Sequence, residues 1–283
     1  MPAVVSGNMR KWILPIAAIA ISLSLTGCQG TDIFDAERFM AFVREDSILR
    51  RSNRSDNPQV IYTSAGSTLT HLRYSRGGDN LVVAEGNSIV TMVGNGSNVV
   101  QIPGYKAADW NTDGTRVYAV STANSIVSMD PDGTNVSAPI FTGTGNITSI
   151  DVNPDGSKIL ITYAPAVNAQ IFVMDADGTD ATPITGVGSV ASDARWSFDG
   201  NRIAYTRTVG ASVDIYAINP DGTGHVPLAN TVETERHPAY MSNGRLFYSR
   251  GTAAAQIWEM EGDGTLQQVY QTGSAPLTYP DAN

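Results

Sequence analysis

One cysteine, three histidines and three lysines in 283 residues exclude several kinds of chemistry before any motif is read. The lone Cys28 has no partner for an intramolecular disulfide, and a soft metal site built from several thiolates is excluded with it. His71, His225 and His237 form no His-x-x-x-His or His-x-His pair, so each reads as a polar surface residue or a local hydrogen-bond partner. No Gly-x-Ser-x-Gly elbow presents a serine nucleophile. Positive charge is scarce and scattered, with 18 Lys and Arg against 27 Asp and Glu, and no basic stripe forms. Generic attraction to nucleic acid or to anionic lipid is therefore not expected. The uncharged apolar run from Trp12 to Leu25 is short for a bilayer span.

That run has another explanation. Met9-Arg-Lys11, the apolar stretch and the small residues after it have the layout of an export signal rather than of a folded element. Leu25-Thr26-Gly27-Cys28 resembles the lipobox of bacterial lipoproteins. The resemblance implies cleavage after residue 27 and acylation of Cys28; the alternative is an ordinary secretory signal. Two or more acyl chains hold a soluble body firmly at a membrane, whereas one binds only marginally. In double-membraned hosts a residue other than aspartate after the cysteine, here Gln29, implies the outer membrane, facing the periplasm. Loss of residues 1–27 removes Arg10 and Lys11, leaving 16 basic and 27 acidic residues and a formal charge of −11.

Residues 28–58 read as a lipidated tether. Between Asp32 and Arg50, Phe34, Phe39, Phe42, Val43 and Leu49 fall mostly at helix-compatible spacings, which predicts a short amphipathic helix. A flexible tether without a helix is the alternative. The polar stretch 52–58 reads as a linker.

From residue 59 to residue 283 the chain repeats itself. A first turn signal recurs at Arg76-Gly-Gly-Asp79, Thr112-Asp-Gly114, Pro154-Asp-Gly156, Phe198-Asp-Gly200 and Ser242-Asn-Gly244. A second recurs at Gly94-Asn-Gly-Ser97, Pro131-Asp-Gly-Thr134, Ala176-Asp-Gly-Thr179, Pro220-Asp-Gly-Thr223 and Gly262-Asp-Gly-Thr265. Gly114 and Gly156 are 42 residues apart, and Gly156, Gly200 and Gly244 follow at intervals of 44, the length of a four-stranded propeller blade. β-branched and aromatic runs between the turns supply the strands, the outermost being short and proline-bearing, as in Val226-Pro-Leu228. Tyr74, Trp110, Val152, Trp196 and Tyr240 occupy one position in successive units, and strand alternation makes them a column packed between blades.

Five units are complete. Gln59–Thr63 has the character of a second strand, and Ala275–Asp281 that of a first strand with Tyr279 in the aromatic column. Pairing these fragments closes the ring and hides two edges. The expected fold is therefore an all-β propeller of six blades, the last incomplete unless it recruits residues from 28–58; five blades with an overlapping clasp is the alternative.

The words Trp196-Ser-Phe-Asp-Gly-Asn-Arg-Ile-Ala-Tyr205 and Ile215-Tyr-Ala-Ile-Asn-Pro-Asp-Gly-Thr223 resemble the WD40-like, Asp-containing (PD40) repeats of TolB-like propellers. The resemblance implies binding of an envelope protein or peptide at the propeller face or channel. Similar repeats occur in peptidase propellers and oligogalacturonate lyases, so it constrains fold more than function.

Two constellations invite chemistry. Arg73, Asp109, Asp151, Asp193 and Arg195 lie beside the aromatic column, where alternation turns them toward the channel; they are candidates for binding, or for a carbohydrate- or uronate-active lyase or hydrolase. Asp130 with Asp132, and Asp175 with Asp177, could offer oxygen ligands to calcium in a sensor. The spacing lacks the downstream bidentate Glu of an EF-hand, and structural Asx turns explain these residues equally. The anchor is directly testable: Cys28→Ser should move the protein from the membrane fraction to the soluble fraction and abolish incorporation of labelled fatty acid. Unchanged fractionation would refute lipidation.

Overall fold

The computed structural model describes residues 39–52, 56–187 and 190–282. The export signal and Cys28 lie outside them. Six antiparallel four-stranded sheets form the blades of a propeller. Blade 1 spans residues 69–103, blade 2 residues 105–142, blade 3 residues 146–183, blade 4 residues 190–229 and blade 5 residues 235–271. Blade 6 joins the two ends of the chain: Leu277–Ala282 is its innermost strand, followed outward by Met40–Arg44, Ser47–Arg51 and Gln59–Thr63.

Six blades are therefore present, and the last is complete. The helix expected between Asp32 and Arg50 is replaced, over its described part, by two strands joined at Glu45-Asp46, with Phe42 facing Leu49 and Val43 facing Ile48. The apolar residues that fitted a helical spacing serve both faces of a sheet instead. Ala41, Val43 and Ile48 pack against blade 1, while Met40, Phe42 and Leu49 pack against blade 5. A propeller strand is buried on both faces, so it lacks the polar alternation that identifies a half-exposed strand. The propeller thus begins by residue 40 rather than 59, and Gln59–Thr63 is an outer strand, not a second one.

Each of the six apolar clusters draws on two adjacent blades. Trp110 packs with Val82, Ile89 and Ile102 of blade 1, Trp196 with Leu160 and Ile171 of blade 3, and Tyr240 with Ala204 and Ile215 of blade 4. The aromatic column is the inter-blade core expected of it. A single blade has no core of its own, which is why the repeats need one another. In blades 2 and 3 the outer strands shrink to Phe141–Thr142 and Thr182–Pro183, at an edge that receives no further neighbour.

The repeated Asp-Gly words do structural work at the turns. Asp132 Oδ1 accepts the Thr134 amide at 2.9 Å and its hydroxyl at 2.6 Å. The same pair of bonds recurs at Asp177–Thr179, Asp221–Thr223 and Asp263–Thr265. The glycine between them takes a positive φ and also approaches the preceding blade. At Gly178, with φ of 87°, a Cβ would lie 2.0 Å from the Ile140 carbonyl oxygen of blade 2.

Gly178→Ala should destabilise the protein by about 2 kcal/mol or more, because a left-handed conformation and a backbone collision coincide. Gly104 has a similar φ of 92° and open space around it, so Gly104→Ala should cost only ~1 kcal/mol. Equal losses in urea melts would show that close approach between blades is unimportant.

Candidate functional site

Both sets of turns lie at one end of the ring, referred to here as the turn face. Gly114 abuts Ser75, Gly156 abuts Thr112 and Gly200 abuts Pro154, so the first turns of neighbouring blades touch one another; Gly94 and Gly262 rest against the first turns of their own blades. The six innermost strands run down the channel and end at this face. The residue before each column position is, in blade order, Arg73, Asp109, Asp151, Arg195, Ala239 and Asp281.

The three aspartates of this ring share one design. Asp109 Oδ2 accepts the Val152 amide at 2.7 Å, Asp151 Oδ2 the Trp196 amide at 2.7 Å, and Asp281 Oδ2 the Tyr74 amide at 2.6 Å. Each carboxylate thus caps the inner strand of the following blade, while the column neighbours Trp110 and Ala282 pack on the preceding one. Arg195 extends the ring sideways, pairing with Asp151 at 2.8 Å and with Asp281, two blades away, at 2.6 Å. Arg73 Nε lies 3.7 Å from Asp151 Oδ1, and Arg73 donates to the Leu72 carbonyl at 2.9 Å. Burial, reinforced by the Asp151 charge, pushes the Asp109 carboxyl up to about 7. Burial also opposes the charge on Arg195, but Asp281, Asp151 and Asp109 together raise its pKa above the ordinary value. Burial and the adjacent Arg195 lower that of Arg73.

A second tier lies deeper in the channel. Four innermost strands carry a β-bulge in which one residue turns left-handed: His71 (φ 53°), Asp193 (φ 52°), His237 (φ 55°) and Tyr279 (φ 48°). Bulges re-aim side chains, and these four converge. Tyr279 stacks at 3.9 Å from His237 and 5.5 Å from His71, and His71 Nε2 lies 4.0 Å from Asp193 Oδ1 on the opposite blade. Burial lowers the His71 pKa to about 4 and moves His237 in the same direction. His237 Nδ1 is hydrogen-bonded to Ser249 Oγ at 2.8 Å. The channel is closed at this level by its own side chains.

Above the charged tier the turn face opens into a cavity of about 60 Å³. Asp109, Asp151, Arg195 and Asp281 contribute to its lining, together with the column residues of all six blades, Arg76 and Phe198. Arg76 stands 5.3 Å over the Phe198 ring, which is 44% exposed. The column therefore combines two roles, inter-blade core and cavity wall.

Of the five channel residues expected from sequence, Arg73, Asp109, Asp151 and Arg195 share the upper tier, whereas Asp193 lies with the lower one. Two assignments need correction. Tyr279 is not in the aromatic column; Ala282 holds that place, because Tyr279-Pro-Asp-Ala282 matches His237-Pro-Ala-Tyr240. Placing Tyr279 in the column hid Asp281, and the shared proline is the signal that reveals it. His71 and His237, apparently remote in sequence, become neighbours because the ring closes through blade 6. The calcium candidates serve their turns: Asp132 and Asp177 bond their threonines, Asp130 pairs with Arg116 at 2.7 Å and Asp175 with Lys158 at 2.5 Å. Among the described residues, no group of three or more His, Cys, Asp or Glu is placed to hold a metal ion.

Asp109→Asn keeps an acceptor for the Val152 amide and removes a buried charge. A raised folded-state pKa stabilises fully below the unfolded value near pH ~4, and the contribution is lost as pH rises through the folded value. The stability of Asp109→Asn relative to the unmodified protein should therefore rise by about 1 kcal/mol or more between about pH 5 and about pH 8. Asp151→Asn removes the partner of Arg195 and should cost about 3 kcal/mol at neutral pH. A pH-independent difference for the first variant would refute the titration of Asp109.

The family model described as the TolB beta propeller domain (PD40) matches residues 47–280. No curated protein sequence matches the chain. Among solved structures, TolB from Acinetobacter baumannii superposes with a TM-score of 0.74 at 17% identity, over 87% of this chain and 66% of that one, so the chain spans just under two thirds of that relative. A putative TolB from Agrobacterium tumefaciens gives a TM-score of 0.70 at 12% identity, over 85% and 90% of the two chains. A chain of a nidogen/laminin complex gives 0.72 at 11% identity, over 87% and 98%.

Proposed function

Because the chain belongs to the TolB beta propeller domain family, we propose that it is an extracytoplasmic binding or scaffold protein that uses the turn face of its propeller to hold a protein or peptide partner. Lipid on Cys28 tethers it to a membrane, and Gln29 directs it to the outer membrane, facing the periplasm, in a host with two membranes. The observation that carries the binding role is the turn-face cavity, walled by buried column residues and rimmed by the exposed Phe198 with Arg76 over its ring, above a floor of buried charge. Aromatic and arginine side chains are enriched where proteins bind.

Two residues of the floor weigh against the carbohydrate-active alternative. Asp151 and Arg195 pair with each other, and the remaining Asp151 oxygen takes the Trp196 amide, so neither is poised as a free acid or base.

A photocrosslinking residue in place of Phe198, at the rim, should capture a defined partner in intact cells. The same residue in place of Val167, 93% exposed between the second and third strands of blade 3 at the opposite end of the ring, should not. Equal capture at both positions, or none at Phe198, would remove the turn face from consideration.

A further inference from the structure

The three carboxylates of the upper tier differ in one respect. Asp151 uses Oδ2 for the Trp196 amide and Oδ1 for Arg195; Asp281 uses Oδ2 for the Tyr74 amide and Oδ1 for Arg195. Both carboxylates are satisfied at both oxygens. Asp109 uses Oδ2 for the Val152 amide, and its Oδ1 has neither a hydrogen bond nor a cation within salt-bridge distance among the described residues. Yet Asp109 is only 7% exposed and lines the cavity. A buried carboxylate is ordinarily paired.

The surroundings indicate what fits that oxygen. The ionisable groups lining the cavity are Asp109, Asp151, Asp281, Arg76 and Arg195, a balance of minus one when Asp109 is ionised, and Arg195 is already held by two carboxylates. Arg76 stays at the rim, over Phe198 and 3.5 Å from the Val152 carbonyl. Trp110 and Trp196 also line the cavity, and an indole attracts a cation over its face. A volume of about 60 Å³ accommodates a few water-sized groups, enough for a compact ammonium and adjoining methylenes but not a whole side chain or a nucleotide.

We infer that the turn-face cavity is a primary-ammonium site: it receives the end of a lysine side chain or a small amine, with Asp109 Oδ1 as counter-ion and the Trp110 and Trp196 rings as walls. As a description of what a partner inserts, this inference rests on the proposed binding role of the turn face. Its failure is nevertheless separable from the failure of that role.

The test is an NMR titration of the indole N–H resonances, using three probes: an acetylated and amidated Gly-Lys-Gly peptide, the same peptide with Gln in place of Lys, and n-butylammonium. The lysine peptide should shift Trp110 and Trp196 saturably, with a Kd near ~1 mM, while Trp258, stacked under Arg250 elsewhere, stays still. The Gln peptide should be at least ~10-fold weaker, and Asp109→Asn should weaken the lysine peptide by a similar ~10-fold. Saturation by the lysine peptide alone assigns the site to a protein partner; saturation by both amines assigns it to the ammonium group itself, and either result supports the inference. Equal shifts with Lys and Gln, undiminished binding to Asp109→Asn, or no response to either amine overturns it. Should Asp109→Asn fail to fold, the Lys and Gln peptides still decide. Partner capture through position 198 together with indifference to lysine would overturn the ammonium site alone and leave the binding face standing.

Discussion

A carboxylate accepting one amide from the next blade is the contact on which this ring turns. Asp109, Asp151 and Asp281 each reach forward to the inner strand of the following blade, while Trp110 beside Asp109 and Ala282 beside Asp281 reach back to the blade before. Forward polar contact and backward apolar contact come from adjacent residues because strand alternation sends them to opposite faces. The strand end that would otherwise leave an amide unpaired near the channel is capped, and the cap needs a buried charge. Arg195 then compensates two of the three charges across the channel. Burial makes such pairs expensive to break rather than strongly stabilising in themselves. They favour the blade order in which every carboxylate finds its amide.

This arrangement was only partly legible in the sequence. The blades could be read because their turns are chemically specific: Asp-Gly-Thr places an acceptor, a left-handed residue and a donor in a fixed order. The upper charged tier could be read because alternation is rigid once the column is known. What escaped was whatever departed from the repeat. Met40–Arg44 and Ser47–Arg51 carry no Asp-Gly word, and their apolar residues, buried on both faces, imitate an amphipathic helix. The lower tier escaped for a different reason. Alternation sends Asp193 to the channel side with Arg195, but a β-bulge re-aims it, and His71, His237 and Tyr279 meet it only because the ring closes through blade 6. Asp281 escaped because the aromatic Tyr279 stands three residues before Ala282, which holds the column place.

The two tiers divide labour along the channel. The lower one is dense: an aromatic ring against an imidazole and a histidine against an aspartate from the facing blade close the passage. Left-handed conformations at non-glycine residues are strained, and the ring retains four of them in its innermost strands. The closed level turns the channel into a cup rather than a pore. Its mouth is therefore a surface with a bottom, suited to receiving a short projection and unsuited to passing anything through. This shape follows from side chains that the turn motifs do not specify.

The closure of blade 6 has a mechanical consequence. Met40–Arg44 is hydrogen-bonded on both sides, to Leu277–Ala282 and to Ser47–Arg51, and Met40 lies opposite Ala282 at the turn face. Tension arriving through the residues before Met40 therefore enters an interior strand at its end. Pulled along its own axis, that strand slides against two ladders at once and loads their bonds together, whereas a force on an outer edge strand would open one ladder a rung at a time. A pull on this end of the ring meets both ladders of the strand together.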